Sequence, residues 1–227
     1  MISEMFMHLH THDILSNGGY LECVSTIYDY IDIKKKRGWP AVCVSNHGSV
    51  VDWVKRKFAI EKAGLKYIHA IEAYVTDNSE EKVRDNYHLL LIAKNWEGVK
   101  EINRLSSRSY NSNDNHYYYS PRMYFEEIEA TSDNIIILTA CLGSPFYQHY
   151  KNENTEELDK WLGFIKKNKH RVYLEVQPHA IEEQATYNKF LSEFAIENGM
   201  KLVATNDAHA STQEHDRLCK ILKKGKK

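Results

Sequence analysis

The sequence predicts a mainly parallel α/β fold curled into a barrel. Seven short apolar runs of strand length alternate with stretches of helical periodicity, the pattern of strands joined by crossover helices. The runs are apolar almost throughout, as strands buried on both faces are. Nearly every run also delivers one metal-type ligand, mostly at its C-terminal end. Parallel barrels assemble their sites there, one residue per strand, whereas an open sheet could not converge so many strand ends on one point. With 227 residues, 42% of them hydrophobic, the chain suits one large domain with a substantial core.

The elements follow in order. Run one is Met5–His10. A helical pattern spans 19–36, with Leu21, Val24, Tyr28 and Ile31 on one face. Run two is AVCVS, 41–45. Ser49 and Asp52 resemble a capping box opening a helix striped by Val51, Val54 and Phe58 and stopped at Gly64. Runs three and four are KYIHAIEAYV, 66–75, and HLLLIA, 88–93, and a helix covers 96–107. Residues 108–127, polar and aromatic, read as a long surface loop, within which HYYYSPRMYF, 116–125, either packs on the barrel or offers stacking faces to single-stranded DNA. Run five is NIIILTA, 134–140, followed by a helix carrying Leu158, Trp161, Leu162 and Ile165. Run six is RVYLEVQ, 171–177, and the next helix, marked by Tyr187, Phe190, Leu191 and Phe194, closes at Gly199. Run seven is KLVAT, 201–205. Neither GxGxxG nor GxxxxGK[ST] occurs, so the nucleotide-binding phosphate loops lack their signature.

Thirty basic and 31 acidic residues leave a net charge of −1, which excludes a general polyanion binder and confines any nucleic-acid contact to a local surface. The four cysteines, Cys23, Cys43, Cys141 and Cys219, are scattered without a CxxC pair, and the expected compartment is the reducing cytoplasm. The first residues lack the pattern of a signal peptide, and no stretch is apolar enough to span a membrane.

The stretch MHLHTH places His8, His10 and His12 two residues apart, on one face of an extended chain. His47 follows run two, Glu72 lies late in run three, His88 opens run four, Cys141 follows run five, and Asp207 and His209 follow run seven. Imidazole, thiolate and carboxylate together suit Zn²⁺ or a similar transition ion rather than calcium. With His12 set aside, the remaining eight exceed the needs of one tetrahedral ion and point to two or three sharing a carboxylate. Clustered divalent ions cleave phosphate esters, one activating water and another neutralising charge on the phosphate.

In order, HLHTH, SNHG, EAYV, YHLLLIAKN, LTACLG, YLEVQ and ATNDAH resemble the PHP (polymerase and histidinol phosphatase) family, in particular the branch at the N-terminus of bacterial DNA polymerase III alpha subunits. The resemblance covers essentially the whole chain. It implies a distorted (β/α)7 TIM-like barrel over residues 1–210, with 211–227 a C-terminal helix leading toward polymerase domains absent from the chain. It implies a trinuclear centre of Zn, Mn or Fe. His8 and His10 form the motif I pair, Glu72 bridges and Asp207 completes the first site; these four carry catalysis. His88 and Cys141 serve the second site, and His47 and His209 the third. His12 is expected behind the ligands or facing solvent.

The implied activity is metal-dependent phosphoesterase chemistry, of the 3′→5′ exonuclease or phosphodiesterase kind, tied to DNA replication. Single-stranded DNA 3′ ends are the expected substrate, and the rest of a polymerase or its replication subunits the expected partners. A non-catalytic module of a polymerase and a small-molecule phosphatase like histidinol phosphatase are the alternatives. YHLLLIAKN and LTACLG favour the polymerase branch. Two departures stand out. The family has an acidic residue or histidine late in motif I, where this chain has Asn17, with Asp13 nearby in another register. Its common TDH is SNH here, with Asn46 in place of the acid. The remaining histidines carry no ligand role: His69 is expected to be packed, and His116, His149, His170 and His215 to lie at the surface.

Overall fold

The computed structural model describes residues 7–18, 21–79 and 82–224, so Met5, Phe6, Gly19 and Tyr20 of the predicted elements and the last three residues lie outside it. Its centre is a curled, mixed sheet. Runs two, three and four become β1 (Ala41–Val44), β2 (Lys66–Thr76) and β3 (Tyr87–Ala93). Two further strands follow, β4 (Tyr117–Tyr118) and β5 (Ser120–Tyr124), and runs five to seven become β6 (Ile135–Leu138), β7 (Val172–Val176) and β8 (Leu202–Ala204). The helices are α1 (Ile27–Lys36), α2 (Trp53–Lys62), α3 (Trp96–Ser109), α4 (Phe125–Glu129), α5 (Pro145–Lys151), α6 (Thr155–Lys167), α7 (Glu182–Asn198) and α8 (Gln213–Lys224).

The sheet order is β4-β5-β2-β3-β6-β7-β8, with β1 beside the first part of β2. Ladders β1–β2, β2–β5, β6–β7 and β7–β8 are parallel, but β3 runs antiparallel to both neighbours. The cause is local: the link between Thr76 and Tyr87 is shorter than the dozen or so residues a parallel crossover needs. The reversal brings His88, at the start of β3, to the end of the sheet where its parallel neighbours finish.

The sheet forms a half-barrel buried on both sides. In β2, Ile71, Ala73 and Val75 pack outward against the helical layer with Trp161 and Tyr187, while Ala70 faces inward with Cys43, Leu90 and Leu138. Strand alternation puts Glu72 on that inner face. The same alternation in β7 sends Val172 and Leu174 outward and turns Tyr173 and Glu175 inward.

Five expectations are corrected. Run one is not a strand over its described residues; only Thr11 forms a bridge, with Ala208. There the chain is pinned on both flanks: His12 N donates to Ala208 O, Ala208 N to His10 O, and Ser45 N to Thr11 O. The first helix starts at Ile27, not at 19, because Thr26 and Asp29 make a reciprocal capping box; residues 21–26 form no regular element. The stripe of Val51, just before α2, and Val54 and Phe58 on it faces solvent rather than the core. Residues 108–127 are largely structured, since β5 adds to β2 and buries Arg122, Met123 and Tyr124. His116 and His149, expected at the surface, are buried against Asp114 and Glu127 and against Asp77, respectively.

Candidate metal centre

Glu72 is fully buried on the inner face of β2. Leaving such a carboxylate without compensation would be costly, and the fold surrounds it with nitrogen and sulfur donors. Its Oε1 lies 3.2 Å from His10 Nε2, 3.0 Å from His88 Nδ1 and 3.9 Å from Cys141 Sγ. Its Oε2 lies 3.5 Å from His12 Nε2 and 2.5 Å from His47 Nδ1. Asp207 Oδ1 closes the far side, 3.3 Å from His10 Nε2, 3.1 Å from His12 Nε2 and 3.5 Å from His209 Nδ1. Three overlapping groups result, each with donor atoms within 4.8 Å of one another: His10, His12 and Glu72; Glu72, His88 and Cys141; His12, His47 and His209.

The loops aim these side chains. Gly48, directly after His47, has φ +57° and no room for a Cβ, which would meet Tyr74 and Pro121 within 3 Å. Ala140 and Asp207 adopt left-handed backbone (φ 56° and 47°), a conformation costly for residues with a Cβ and concentrated at functional sites. These two kinks turn Cys141 and Asp207 off the ends of β6 and β8.

The donor chemistry fits cations. His10 Nδ1 sits 2.6 Å from Glu175 Oε1, which can only accept, so the proton is on Nδ1 and, when the imidazole is neutral, Nε2 presents a lone pair. His12 Nδ1 faces Ser16 Oγ at 2.9 Å, and that hydroxyl donates to Asn46 Oδ1, so His12 Nε2 is likewise bare. Both lone pairs point at carboxylate oxygens. His10 Nε2, His12 Nε2, His47 Nδ1, Glu72 Oε2 and Asp207 Oδ1 are buried atoms with no hydrogen-bond partner despite these short approaches. Lone pairs aimed at one another in a buried space repel unless a proton or a metal ion lies between them.

Without a metal ion, protons serve. Burial disfavours the His10 imidazolium, yet Asp207, Glu175 and Glu72 hold its pKa well above the usual value. Burial likewise opposes charge on His47, but hydrogen bonding to Glu22 and Glu72 raises it to about 10. His12 goes the other way, to about 4, because burial dominates. Burial works against the Glu72 and Asp207 carboxylates too, and the imidazoles facing them pull both well below the carboxylate range. Burial, then Glu72 and Asp207, raise the Cys141 thiol.

Seven of the eight expected ligands therefore meet: His10, His47, Glu72, His88, Cys141, Asp207 and His209. His8 does not. Its ring lies 5.1 Å from that of Trp39, beside α1, in a recess shared with Lys34 and Arg37. Burial, followed by those two cations, lowers its pKa to about 4. Period-two alternation holds only where the chain is pinned, over His10–His12, so the pair at the centre is His10 and His12. Glu175 was also missed, although a lone carboxylate in the apolar run VYLEV carries the same signal as Glu72 in AIEAYV. Thr205 Oγ1 and Gln177 Nε2 donate to its Oε1 alongside His10.

Neither candidate for the missing motif I acid faces the centre. Asp13 accepts from Leu15 N and Asn46 Nδ2 and lies 3.7 Å from Arg56. Asn46, in place of the family's acid, thus ties Asp13 to Ser16. Asn17 accepts from the backbone N–H groups of Glu22 and Cys23 and donates to Cys23 O. Glu22 instead reaches the cluster, its Oε1 3.0 Å from His47 Nε2. It stands at the rim of a cleft of about 560 Å³ lined by His47, Tyr74, Tyr110, Tyr117 and Tyr119. An apolar groove of about 530 Å³ at the other end of the sheet, between Trp53, Tyr67 and Trp96, contains no residue of the centre.

Residues 8–179 match the PHP domain. DNA polymerase III subunit alpha of Aquifex aeolicus is 35% identical over 92% of this chain, and that of Borreliella burgdorferi is 33% identical over the same share. The chain spans 18% of the length of either relative. Among solved structures, a Bifidobacterium adolescentis protein provisionally described as a metal-dependent phosphoesterase superposes with a TM-score of 0.54. That likeness covers 91% of this chain and 89% of that one at 14% identity, and is a likeness of fold. A family match over most of the chain, on a sheet whose ends gather histidines and carboxylates around Glu72, shows that this protein belongs to the PHP domain family.

Proposed function

We propose that this chain is a metal-dependent phosphodiesterase acting on single-stranded DNA 3′ ends, as part of a replicative polymerase assembly. The observation that carries the reading is Glu72, a buried carboxylate approached on both oxygens by four imidazoles and a thiol. His10, His12, Glu72 and Asp207 would hold one ion, Glu72, His88 and Cys141 a second, and His47 and His209 a third, Zn, Mn or Fe in each case. Bound there, such ions supply Lewis acidity to a phosphate ester and to water. Glu175 orients His10, and Ser16 orients His12. The bridge at Thr11, between the ends of β8 and β1, supports a distorted (β/α)7 ring around the centre.

The tyrosines support DNA over a small phosphate ester. Tyr110, Tyr117 and Tyr119 are half or more exposed or nearly so, in the cleft that opens on His47. Tyr119 has φ +63°, an unusual conformation for an aromatic residue, and its ring stands out at the turn between β4 and β5 with Arg84 above it. Rings of this kind stack bases without sequence preference.

The test is digestion of a 3′-labelled single-stranded oligonucleotide beside hydrolysis of histidinol phosphate, each with and without chelator. Chelator-sensitive loss of the 3′ nucleotide is expected. Faster turnover of histidinol phosphate would favour the small-molecule reading. Turnover of neither substrate by metal-loaded protein would leave the domain a structural module.

A further inference from the structure

Resting on the metal-site reading, we infer that Glu22 is the carboxylate ligand of the outermost ion, the one facing His47 and His209. It takes the part that Asn17 cannot. Two imidazoles alone would hold a divalent ion weakly, since a neutral pair contributes no charge. The segment before α1 makes good that deficit.

The geometry is that of a built site. His209 Nδ1 donates to the carbonyl oxygen of Asp207 at 3.1 Å, leaving Nε2 bare. That Nε2 lies 3.4 Å from His47 Nε2, and the two rings meet at their nitrogens. Glu22 reaches into the same space, Oε1 3.0 Å from His47 Nε2 and Oε2 4.0 Å from His209 Nε2. Below it lies His12 Nε2, fully buried, without a hydrogen-bond partner, and grouped with His47 and His209.

Asn17 builds this arrangement without joining it. Its amide oxygen accepts from Glu22 N and Cys23 N, each at 2.9 Å, and its Nδ2 donates to Cys23 O at 2.7 Å. All of its polar capacity but one N–H is directed at backbone. The amide holds the backbone at Glu22 and Cys23, and from there the Glu22 side chain reaches His47. An aspartate at 17 would set a carboxylate against the Cys23 carbonyl and loosen the clamp. Asp13 is held by Asn46 and Leu15 and cannot substitute.

The experiment is equilibrium dialysis of the full chain against Mn²⁺, with bound metal measured by elemental analysis and folding checked by circular dichroism. Compared are the parent, Glu22→Gln, His209→Gln, the double variant and Asn17→Asp. Glu22→Gln keeps size and hydrogen bonding and removes the charge. It is expected to lose one ion per chain, or to bind its weakest ion roughly tenfold or more less tightly. The double variant should lose no more than one ion per chain, because both residues serve the same ion. Asn17→Asp should not tighten binding. Unchanged stoichiometry and affinity in folded Glu22→Gln, or loss of two ions by the double variant, would overturn the assignment, as would tighter binding by Asn17→Asp. A parent that binds no metal at all would instead defeat the metal-site reading beneath it. Should Glu22→Gln fail to fold, Glu22→Asp serves: its shorter reach should weaken the same ion and leave the others unchanged.

Discussion

His10 Nδ1 and Glu175 Oε1 lie 2.6 Å apart, with both side chains completely buried. The pair joins β7 to the pinned N-terminal segment and fixes which His10 nitrogen faces Glu72. Carboxylates behind a ligating imidazole set its tautomer and basicity. Glu175→Gln should therefore keep the fold and weaken metal binding at His10 by about 10- to 100-fold. Competition against a chromophoric chelator measures this. Unaltered affinity would make the pair purely structural.

The histidine register has a direct check. His8→Ala should leave metal content unchanged, because its ring packs by Trp39. His12→Ala should cost at least one ion, since His12 Nε2 faces both Glu72 and Asp207. The reverse outcome by elemental analysis would restore His8 to the centre.

Gly143 marks a steric limit. A Cβ added there would sit 2.9 Å from His88 Nδ1, the atom that faces Glu72 and Cys141. Gly143 has no left-handed backbone to strain, so Gly143→Ala should fold. It should push the His88 ring aside and lower affinity for the ion between His88 and Cys141, with the other sites intact. A titration indistinguishable from the parent would show that the ring is free to give way.

Metal removal should destabilise the protein. An ion present at about 100 times its Kd stabilises the native state by about 2.7 kcal/mol. For a chain of this size that corresponds to a fall in Tm of about 5–10 °C on chelation. Differential scanning calorimetry with and without chelator reads the change, and an unmoved Tm would count against binding.

His69 predicts a pH effect away from the centre. It is buried; Tyr67 OH lies 2.7 Å from its Nδ1 and Asn103 Oδ1 3.1 Å from its Nε2. Burial, opposed by the Asn103 hydrogen bond and assisted by Arg56, lowers its pKa to about 4. The unfolded chain takes up this proton near pH 6.5 and the folded chain only near 4, so stability is lost as pH falls between those values. The loss approaches roughly 3 kcal/mol. His69→Gln should flatten the slope of denaturant stability against pH in that window. A His69 imidazole that titrates near 6.5 by NMR would rule this out.

Six of the seven β runs were legible because strands buried on both faces must be apolar along their length, and interruptions such as Glu72 stand out against that background. The ligand types at the run ends were legible for the same reason: a buried imidazole or carboxylate needs a partner. Three things were decided only by tertiary structure. Alternation told that His8, His10 and His12 share a face of an extended chain, but hydrogen bonds from Ser45 and Ala208 set where that geometry begins. A short link forbids a parallel crossover, but the seating of β3 between β2 and β6, which delivers His88 to Glu72, is a pairing that only the assembled sheet decides. Glu22 carries no local signal at all, being one charged residue in a stretch that reads as helix. Its place beside His47 rests on the Thr26 cap that delays α1, on the Asn17 amide that holds the Glu22 and Cys23 backbone, and on His47 arriving from a distant part of the chain.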